Sequence, residues 1–288
     1  MSFIPVIADT HFGARNDSPV MYKHQQDFFA DVFWKALDDA NYSGPIFHLG
    51  DLTDRRKYIN FQTLQFTKEV FFKEAQKRGC HVHWLLGNHD LPYRDSTDLS
   101  TAAAFGEYQN VTTYTGPQVL AINERQLLLL PWICESNRQQ SLDAIQQFEG
   151  ATVFGHLELA GFDMFRGVKN EHGMDAGLFQ SFPLVATGHY HHRSIRNNIQ
   201  YVGSPYEMIW SDYADQRGFH WWDTDANTLT FVSNPHVVFK RYTYDDSSQD
   251  YGIVKRLLNR FQNDQLTDKF VKLVIIKKTK PIDRKSVV

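Results

Sequence analysis

The amino-acid sequence predicts an α/β fold in which sheets and helices form layers. Three apolar runs in the first third of the chain, residues 3–8, 45–49 and 81–86, have the length and composition of buried strands. Between them lie two longer segments, residues 24–40 and 60–78, whose apolar side chains recur at helical spacing. This β-α-β-α-β order is typical of an α/β layer fold.

Each helical segment has one face suited to packing against a sheet. No cofactor-binding role is needed to explain these faces. The second segment ends at Gly79, a residue type that favours the backbone conformation found after a helix C-terminus. The apolar positions are Phe28, Phe29, Val32, Phe33, Ala36, Leu37 and Ala40 in the first segment and Phe61, Leu64, Phe71, Phe72 and Ala75 in the second.

The pattern changes in the middle of the chain. Short alternating strands follow one another from Val111 to Pro131, which predicts a second, antiparallel-rich sheet. The other elements predicted here are a helix at 136–148, strands at 151–154 and 184–187, a long loop at 160–180, and strands at 199–202, 218–222 and 229–232 that close the second sheet.

The character of the sequence shifts again after Pro235. We expect one large domain over residues 1–235 and part of a small α/β capping domain over 236–288. Residues 277–288 are polar and have the character of a tail or a cut end. The small unit is predicted to be β-α-β, from the segments at 237–244, 251–261 and 270–278.

Composition excludes several classes of protein. With 288 residues, 42% of them hydrophobic, the chain can bury a large core. A formal charge of -3 gives no global basic signature, so nucleic-acid binding would need a local patch or a partner. Two cysteines make neither a disulfide framework nor a thiolate zinc site, which favours a reducing cytoplasm. No apolar run approaches the roughly 20 residues that span a bilayer.

Side chains able to bind metal follow five of the predicted strands, four of them directly after glycine. Glycine at such a point lets the backbone turn tightly or approach an ion where a Cβ atom would clash. One such strand end could be an aspartate that caps a turn beside an unrelated surface histidine, but five together indicate a metal site. The candidate ligands are Asp9, His11, Asp51, Asn88, His156, His189 and His191.

The ligand set predicts the chemistry. Nitrogen and oxygen donors without sulfur suit a divalent ion such as Mn²⁺, Fe²⁺ or Zn²⁺. Seven side chains exceed the needs of one ion, and two ions that share Asp51 are the economical solution. Because strand side chains alternate between faces, we expect Asp9 and His11, like His189 and His191, to point the same way. Two such ions can activate water and clamp a phosphate, so the predicted reaction is phosphoester hydrolysis.

His89 follows Asn88 directly and should project differently, which leaves it free to act on the substrate. We therefore assign His89 a catalytic role, with Asp90 or a neighbour orienting its ring. The alternative is that His89 is a third metal ligand or a packed structural histidine.

Basic residues surround the predicted metal site although the protein is acidic overall. A charged loop this short is usually only solvated, but its position beside the metal site favours contacts with phosphate groups. The candidate phosphate-contacting residues are Arg15, Arg55, Arg56, Lys57 and Arg193.

The motifs as a set resemble the calcineurin-like metallophosphoesterase superfamily. Asp-x-His, Gly-Asp-x-x-Asp, Gly-Asn-His-Asp, Gly-His and Gly-His-x-His occur in this order over residues 9–191. Within the superfamily, the chain is most similar to SbcD-type nuclease subunits of double-strand-break repair complexes, in particular those of T-even-like phages. The segments that carry this similarity include His-Leu-Gly-Asp-Leu-Thr-Asp-Arg-Arg-Lys, Leu-Pro-Trp-Ile-Cys-Glu and Tyr-Val-Gly-Ser-Pro-Tyr.

The resemblance implies a four-layer αββα sandwich and a particular division of the ligands. One metal would be held by Asp9, His11, Asp51 and His191, and the second by Asp51, Asn88, His156 and His189. His89 would stabilise the transition state or protonate the leaving oxygen.

The resemblance also implies cofactors, partners and an activity. The cofactors are two Mn²⁺ per chain, with Mg²⁺ as the alternative, and the partners are a second copy of the chain in a homodimer and an SbcC-type ABC ATPase. The implied activity is 3′→5′ exonuclease on duplex DNA and endonuclease on single strands, in the bacterial host's cytoplasm if the protein is viral, with the basic residues binding DNA and the capping domain helping to hold it. The rivals are a phosphatase or small-molecule phosphodiesterase, which would use the same ligands, and an inactive DNA-end-binding scaffold.

The sequence departs from the family in two respects. Asp54 stands where several relatives have a second active-site histidine, which puts that helper role in doubt. The helices with which the family binds the ATPase are not recognisable in this chain, so we expect its attachment region to be missing.

Overall fold

The computed structural model describes residues 2–245, 251–264 and 266–277. The chain divides into two compact units, with the boundary between His236 and Val237. The larger unit has two six-stranded sheets with helices on their outer faces, as the predicted αββα sandwich requires. No helix among the described residues is long and apolar enough to cross a membrane.

The first sheet is built around the amino-terminal strand. Its order is β14-β13-β1-β2-β3-β4, in which the four strands from β1 to β4 are parallel and the other two pairings are antiparallel. The strands are β1 (Phe3–Ile7), β2 (Pro45–His48), β3 (His81–Leu85), β4 (Val111–Tyr114), β13 (Gly218–Asp223) and β14 (Thr228–Ser233).

The second sheet has the order β11-β12-β10-β7-β6-β5. Its three central pairings are parallel and its two edge pairings are antiparallel. The strands are β5 (Gln118–Ile122), β6 (Arg125–Leu130), β7 (Thr152–His156), β10 (Leu184–Gly188), β11 (Ser194–Arg196) and β12 (Ile199–Tyr201).

Three helices cover the sheets. The first, α1, runs as Pro19–Phe28, a π-helical segment Phe29–Trp34, and Lys35–Asp39. The second, α2, repeats this form as Phe61–Thr67, Lys68–Phe72 and Lys73–Lys77, and Asn60 caps its amino terminus by accepting from the Gln62 amide. The third is α3, Arg138–Gln147. The shorter 3₁₀ turns are Thr101–Phe105, Glu135–Asn137, Ala176–Phe179 and Trp210–Asp212.

Alternation along β6 shows how two apolar layers form. Leu127 and Leu129 face the first sheet, where they pack in one cluster with Phe47 and Trp222. Leu128 and Leu130 point the other way, into a cluster that includes Ile145 of α3. Since successive strand side chains point to opposite faces, four adjacent leucines supply both sides of the second sheet.

Two predictions about sheet membership were wrong. β4 joins the first sheet, beside β3, and β13 and β14 extend that same sheet at its other edge, next to β1. The second sheet is therefore mixed, with parallel pairings at its centre, and is not antiparallel-rich. The predicted long loop at 160–180 also contains a short hairpin, β8 (Asp163–Phe165) with β9 (Val168–Lys169).

The smaller unit has the predicted β-α-β order. β15 (Phe239–Asp245) and β16 (Phe270–Ile276) pair in parallel over seven residues, with the helix α4 (Tyr251–Asn263) between them in sequence. Tyr242 Oη donates to the Asp264 carboxylate, at 2.6 Å. The tail predicted from residue 277 onward lies outside the described residues except for Lys277, which pairs with Asp245 at 3.0 Å.

Candidate metal centre and active site

Six of the seven candidate ligands lie in the loops that follow β1, β2, β3 and β10, and the seventh, His156, is the last residue of β7. The backbone of four of these residues is left-handed, with φ of 54° at Asp9, 41° at His11, 55° at Asp51 and 93° at His189. Such values are uncommon for residues other than glycine, and they persist only where the surroundings hold them. Alternation of side chains holds only within a strand, and β1 ends at Ile7 and β10 at Gly188. Strand alternation was therefore the wrong reason to expect the ligands after these two strands to point the same way.

The predicted ligands of the first metal meet at one point. Asp9, His11 and His191 each offer a ligand atom, and these atoms lie within 4.8 Å of one another. The Nε2 atoms of His11 and His191 face each other at 3.1 Å. Asp51 Oδ2 lies 3.5 Å from Nε2 of His11, which adds the fourth predicted side chain.

The second group forms in the same way around the other oxygen of Asp51. Asp51, His156 and His189 make a cluster, in which Asp51 Oδ1 is 3.5 Å from Nε2 of His156. Asn88 Oδ1 lies 2.8 Å from Nδ1 of His189 and 3.2 Å from Nε2 of His156. One carboxylate therefore presents one oxygen to each group, which is the arrangement that a shared ligand requires.

Outer contacts hold the ligand rings in orientation. His156 Nδ1 donates to the Leu49 carbonyl at 2.7 Å, which turns Nε2 toward Asp51. His11 Nδ1 lies 3.3 Å from the Asp54 carboxylate, which turns its Nε2 toward Asp51 and His191. Partners of this kind fix the tautomer of a metal-binding histidine and raise its basicity. Asp54 thus has a role that the sequence did not indicate.

His89 lies at the edge of the first group. Its Nδ1 donates to the main-chain carbonyl of Asp54 at 2.6 Å, which leaves Nε2 for the site. Its ring centroid is 4.7 Å from that of His11, and its main-chain amide donates to Asp51 Oδ1 at 2.7 Å. His89 also forms a possible ligand cluster with His11 and Asp51, so the alternative of a third ligand stays open.

Asp90 is buried, and its carboxylate joins the loop after β2 to its own loop after β3. Its Oδ1 accepts from the amides of Leu52 and Thr53 at 3.0 and 3.3 Å, and its Oδ2 accepts from the Gly87 amide at 2.9 Å. The ring of His89 is held by the carbonyl of Asp54 instead. Asp90, the second residue predicted to be catalytic, therefore lies where it can position the loop that carries Asp51.

Two glycines permit the close approach of these loops. A Cβ atom on Gly87 would overlap Asp51 Oδ1 and the Asp51 amide nitrogen, and one on Gly50 would overlap the His156 ring. Gly50 also has φ of 97°, which disfavours any side chain. These positions have glycine because the ligand loops meet there.

The electrostatics of the centre are dominated by burial and by its carboxylates. Burial opposes charge on His11 and His156, but nearby carboxylates outweigh it and raise the pKa of each to about 9. Burial lowers the pKa of His189 to about 3 and holds the pKa of His191 well below its usual value. His189 and His191 are therefore neutral at pH 7, the form in which imidazole binds a metal.

These residues fit a pair of divalent cations. The donors are nitrogen and oxygen, as hard or borderline ions prefer. Nδ1 of His191 is buried and has no hydrogen-bond partner among the described residues. The Nε2 atoms of His11 and His191 lie 3.1 Å apart, and a bound cation that displaced the proton of His11 would receive a lone pair from each. Such a cation would supply Lewis acidity and charge neutralisation at a phosphate.

The predicted basic residues are placed differently from one another. Burial and the charge of Arg94 lower the pKa of Arg56, whose charge also acts on Asp51. Arg55 pairs with Asp17 at 3.0 Å. The other three also differ in surroundings: Arg15 is exposed and donates to the Met208 carbonyl at 3.3 Å, Lys57 is exposed, and the guanidinium of Arg193 lies 4.2 Å from the ring centroid of Phe231.

Sequence reasoning missed two residues at the site, Trp132 and Arg217, and it did not specify the contact that Asp54 makes. Trp132 follows β6, and its ring centroid lies 5.2 Å from that of His189. Arg217 is buried, pairs with Asp212 at 3.0 Å and donates to the main-chain carbonyl of His191. Asp54 stands three residues after Asp51 and belongs to the Gly-Asp-x-x-Asp motif, but its contact with His11 joins two different loops.

Two mixed sheets with buried His/Asp clusters at the carboxyl ends of their strands define a metallophosphoesterase, a metal-dependent hydrolase of phosphate esters. The chain belongs to the calcineurin-like phosphoesterase family, whose profile matches residues 4–264. Exonuclease subunit 1 of Enterobacteria phage T4 is 31% identical over 196 residues, which is 68% of this chain and 57% of that protein. A solved structure described as a novel archaeal phosphodiesterase matches with a TM-score of 0.40 and 11% identity, over 81% of this chain and 99% of that one.

Proposed function

We propose that this protein is a metal-dependent DNA nuclease that hydrolyses phosphodiester bonds with two Mn²⁺ ions, as a 3′→5′ exonuclease on duplex DNA and an endonuclease on single strands. The observation that carries the proposal is the placement of Asp51, which faces one ligand group with each carboxylate oxygen. The similarity to an exonuclease subunit supports DNA as the substrate.

The protein's own residues would share the work as follows. Asp9, His11, Asp51 and His191 would hold one cation, and Asp51, Asn88, His156 and His189 would hold the other. His89 keeps Nδ1 on the Asp54 carbonyl and presents Nε2 to the leaving oxygen, where it donates a proton or a hydrogen bond. Arg56 is the basic residue whose charge acts on Asp51, which suits it to contact the DNA backbone.

We further infer that the chain acts within a recombination or repair complex. The T4 relative is named as a subunit of an exonuclease, and this chain aligns with 57% of it. A homodimer and an ABC-type ATPase of the SbcC kind are the partners in this proposal. The smaller unit, residues 237–288, would help to hold DNA.

The test is a comparison of substrates on one preparation. We expect cleavage of 3′-labelled duplex DNA and of circular single-stranded DNA in Mn²⁺, weaker cleavage in Mg²⁺, and loss of both in chelator. His89→Gln serves as the matched inactive variant. Faster turnover of a small phosphodiester or phosphomonoester than of DNA would show a phosphodiesterase or phosphatase instead. DNA binding without cleavage in either metal would show a scaffold.

A further inference from the structure

A cavity of about 250 Å³ lies directly beside the second ligand group. His156 forms part of its wall, so whatever fills the cavity lies next to the phosphate that the metal centre would hold. Trp132, Ile133 and Met174 line it with apolar surface. His156 is the one candidate metal ligand among the residues that line the cavity.

Trp132 is held in a fixed orientation. Its main-chain amide donates to the Leu86 carbonyl at 2.8 Å, and its indole Nε1 donates to the Arg94 carbonyl at 3.2 Å. Its ring lies 6.2 Å from that of His156 and 5.2 Å from that of His189, measured between centroids. The indole is therefore held as an aromatic wall that lines the cavity and lies close to two histidines of the second ligand group.

The polar groups of the cavity suit a neutral ligand with both donors and acceptors. Arg138 and His172 offer donors, and Glu158 offers an acceptor. Glu158 is held by Asn170, whose Nδ2 donates to its Oε1 at 3.1 Å. Arg138 and Glu158 bring one charge of each sign, so their charges give no net attraction for a second phosphate, whereas the edge of a nucleobase presents donors and acceptors to both side chains.

The size restricts the ligand further. Pockets for drug-sized molecules run from about 300 to 1,000 Å³. The cavity of about 250 Å³ lies below this range, so its volume suits one nucleobase better than a base pair. A base in duplex DNA must leave the stack to enter such a cavity, as it does in enzymes that flip their target base.

We propose that this cavity, lined by Trp132, Met174 and Glu158, binds the unpaired nucleobase of the nucleotide next to the scissile phosphate. The proposal rests on the proposed nuclease function. The base stacks on an aromatic wall and its edge meets Glu158 and Arg138. Frayed or mismatched 3′ ends are then better substrates than perfectly paired ends.

The first test is binding and requires no turnover. The fluorescence of 2-aminopurine deoxynucleoside 5′-monophosphate is titrated with protein in Mn²⁺, in competition with deoxyribose 5-phosphate, which lacks the base. We expect the base to strengthen binding roughly ten- to a hundredfold, as stacking on an aromatic side chain does. Equal affinity of the two ligands would overturn the proposal.

A cavity-filling variant locates the effect. Met174→Trp should reduce the advantage of the base to within about twofold, short of the roughly tenfold minimum expected for stacking, while Leu178→Trp, on an exposed surface, should keep it. A full advantage in Met174→Trp would place the base elsewhere and overturn the proposal.

The second test uses DNA and separates the two proposals. An abasic nucleotide beside the scissile phosphate should raise KM about tenfold or more if stacking contributes as usual. Cleavage of DNA that is indifferent to the abasic position would refute the cavity and leave the nuclease standing. Base-dependent binding without DNA cleavage, or with release of inorganic phosphate from the monophosphate, would support the cavity and refute the nuclease.

Discussion

Asp54→Asn tests how the first ligand group is organised. The Asp54 carboxylate lies 3.3 Å from Nδ1 of His11, whose Nε2 is 3.1 Å from His191 and 3.5 Å from Asp51. Asparagine keeps the size of the side chain and an oxygen that can accept from Nδ1, but it removes the negative charge. The main-chain carbonyl that holds His89 is unchanged, so the variant isolates the action of the carboxylate on His11.

The expected magnitude follows from the place of Asp54 outside the ligand shell. Loss of such a partner typically lowers metal affinity by about 10–100-fold, or roughly 1.4–2.7 kcal/mol. Only the group that contains His11 should be affected, because His156 in the other group is oriented by the Leu49 carbonyl. Excess Mn²⁺ should then restore cleavage to near the parent rate.

The assay is Mn²⁺ titration by calorimetry and electron paramagnetic resonance, which resolves two binding steps. We expect one step to weaken and the other to stay within about twofold, far from the 10–100-fold change of the affected step. Asp39→Asn, at an exposed carboxylate on α1, is the matched control. Two unchanged steps, or equal weakening of both, would refute the assigned role of Asp54.

Three further variants test other parts of the structure. Gly87→Ala should lose bound metal, measured by elemental analysis, since its Cβ overlaps Asp51, whereas Gly106→Ala, with its nearest neighbour at 3.9 Å, should keep it; full occupancy in Gly87→Ala would contradict the packing. His89→Gln should keep both metals and lose roughly 10²–10⁴-fold in cleavage rate; loss of an ion would make His89 a ligand. Burial lowers the pKa of His220 to about 3, so the folded protein keeps it neutral while the unfolded chain protonates near pH 6.5. His220→Phe should therefore gain stability over the parent by about 1.4 kcal/mol per pH unit from pH 6.5 down toward 3, measured by urea unfolding of metal-free protein; a constant difference would refute this.

The sequence by itself determined the element types and the ligand chemistry. The periodicity of apolar residues is a local property, so the segments that became α1 and α2 were predicted at 24–40 and 60–78 and end close to where the structure ends them. The candidate ligands were predicted because histidine, aspartate and asparagine after apolar runs suit a divalent metal. Their convergence in two clusters agrees with that chemistry.

Only the tertiary structure decided which strands pair and what the ligand rings contact. β13 pairs with β1 across more than two hundred residues, and no local pattern in either strand specifies that partner. The left-handed backbone of Asp9 and His11 depends on neighbouring loops, since isolated chains disfavour it. The contacts of Asp54 with His11 and of Trp132 with His189 join distant parts of the chain, and such contacts arise from packing rather than from any local sequence pattern.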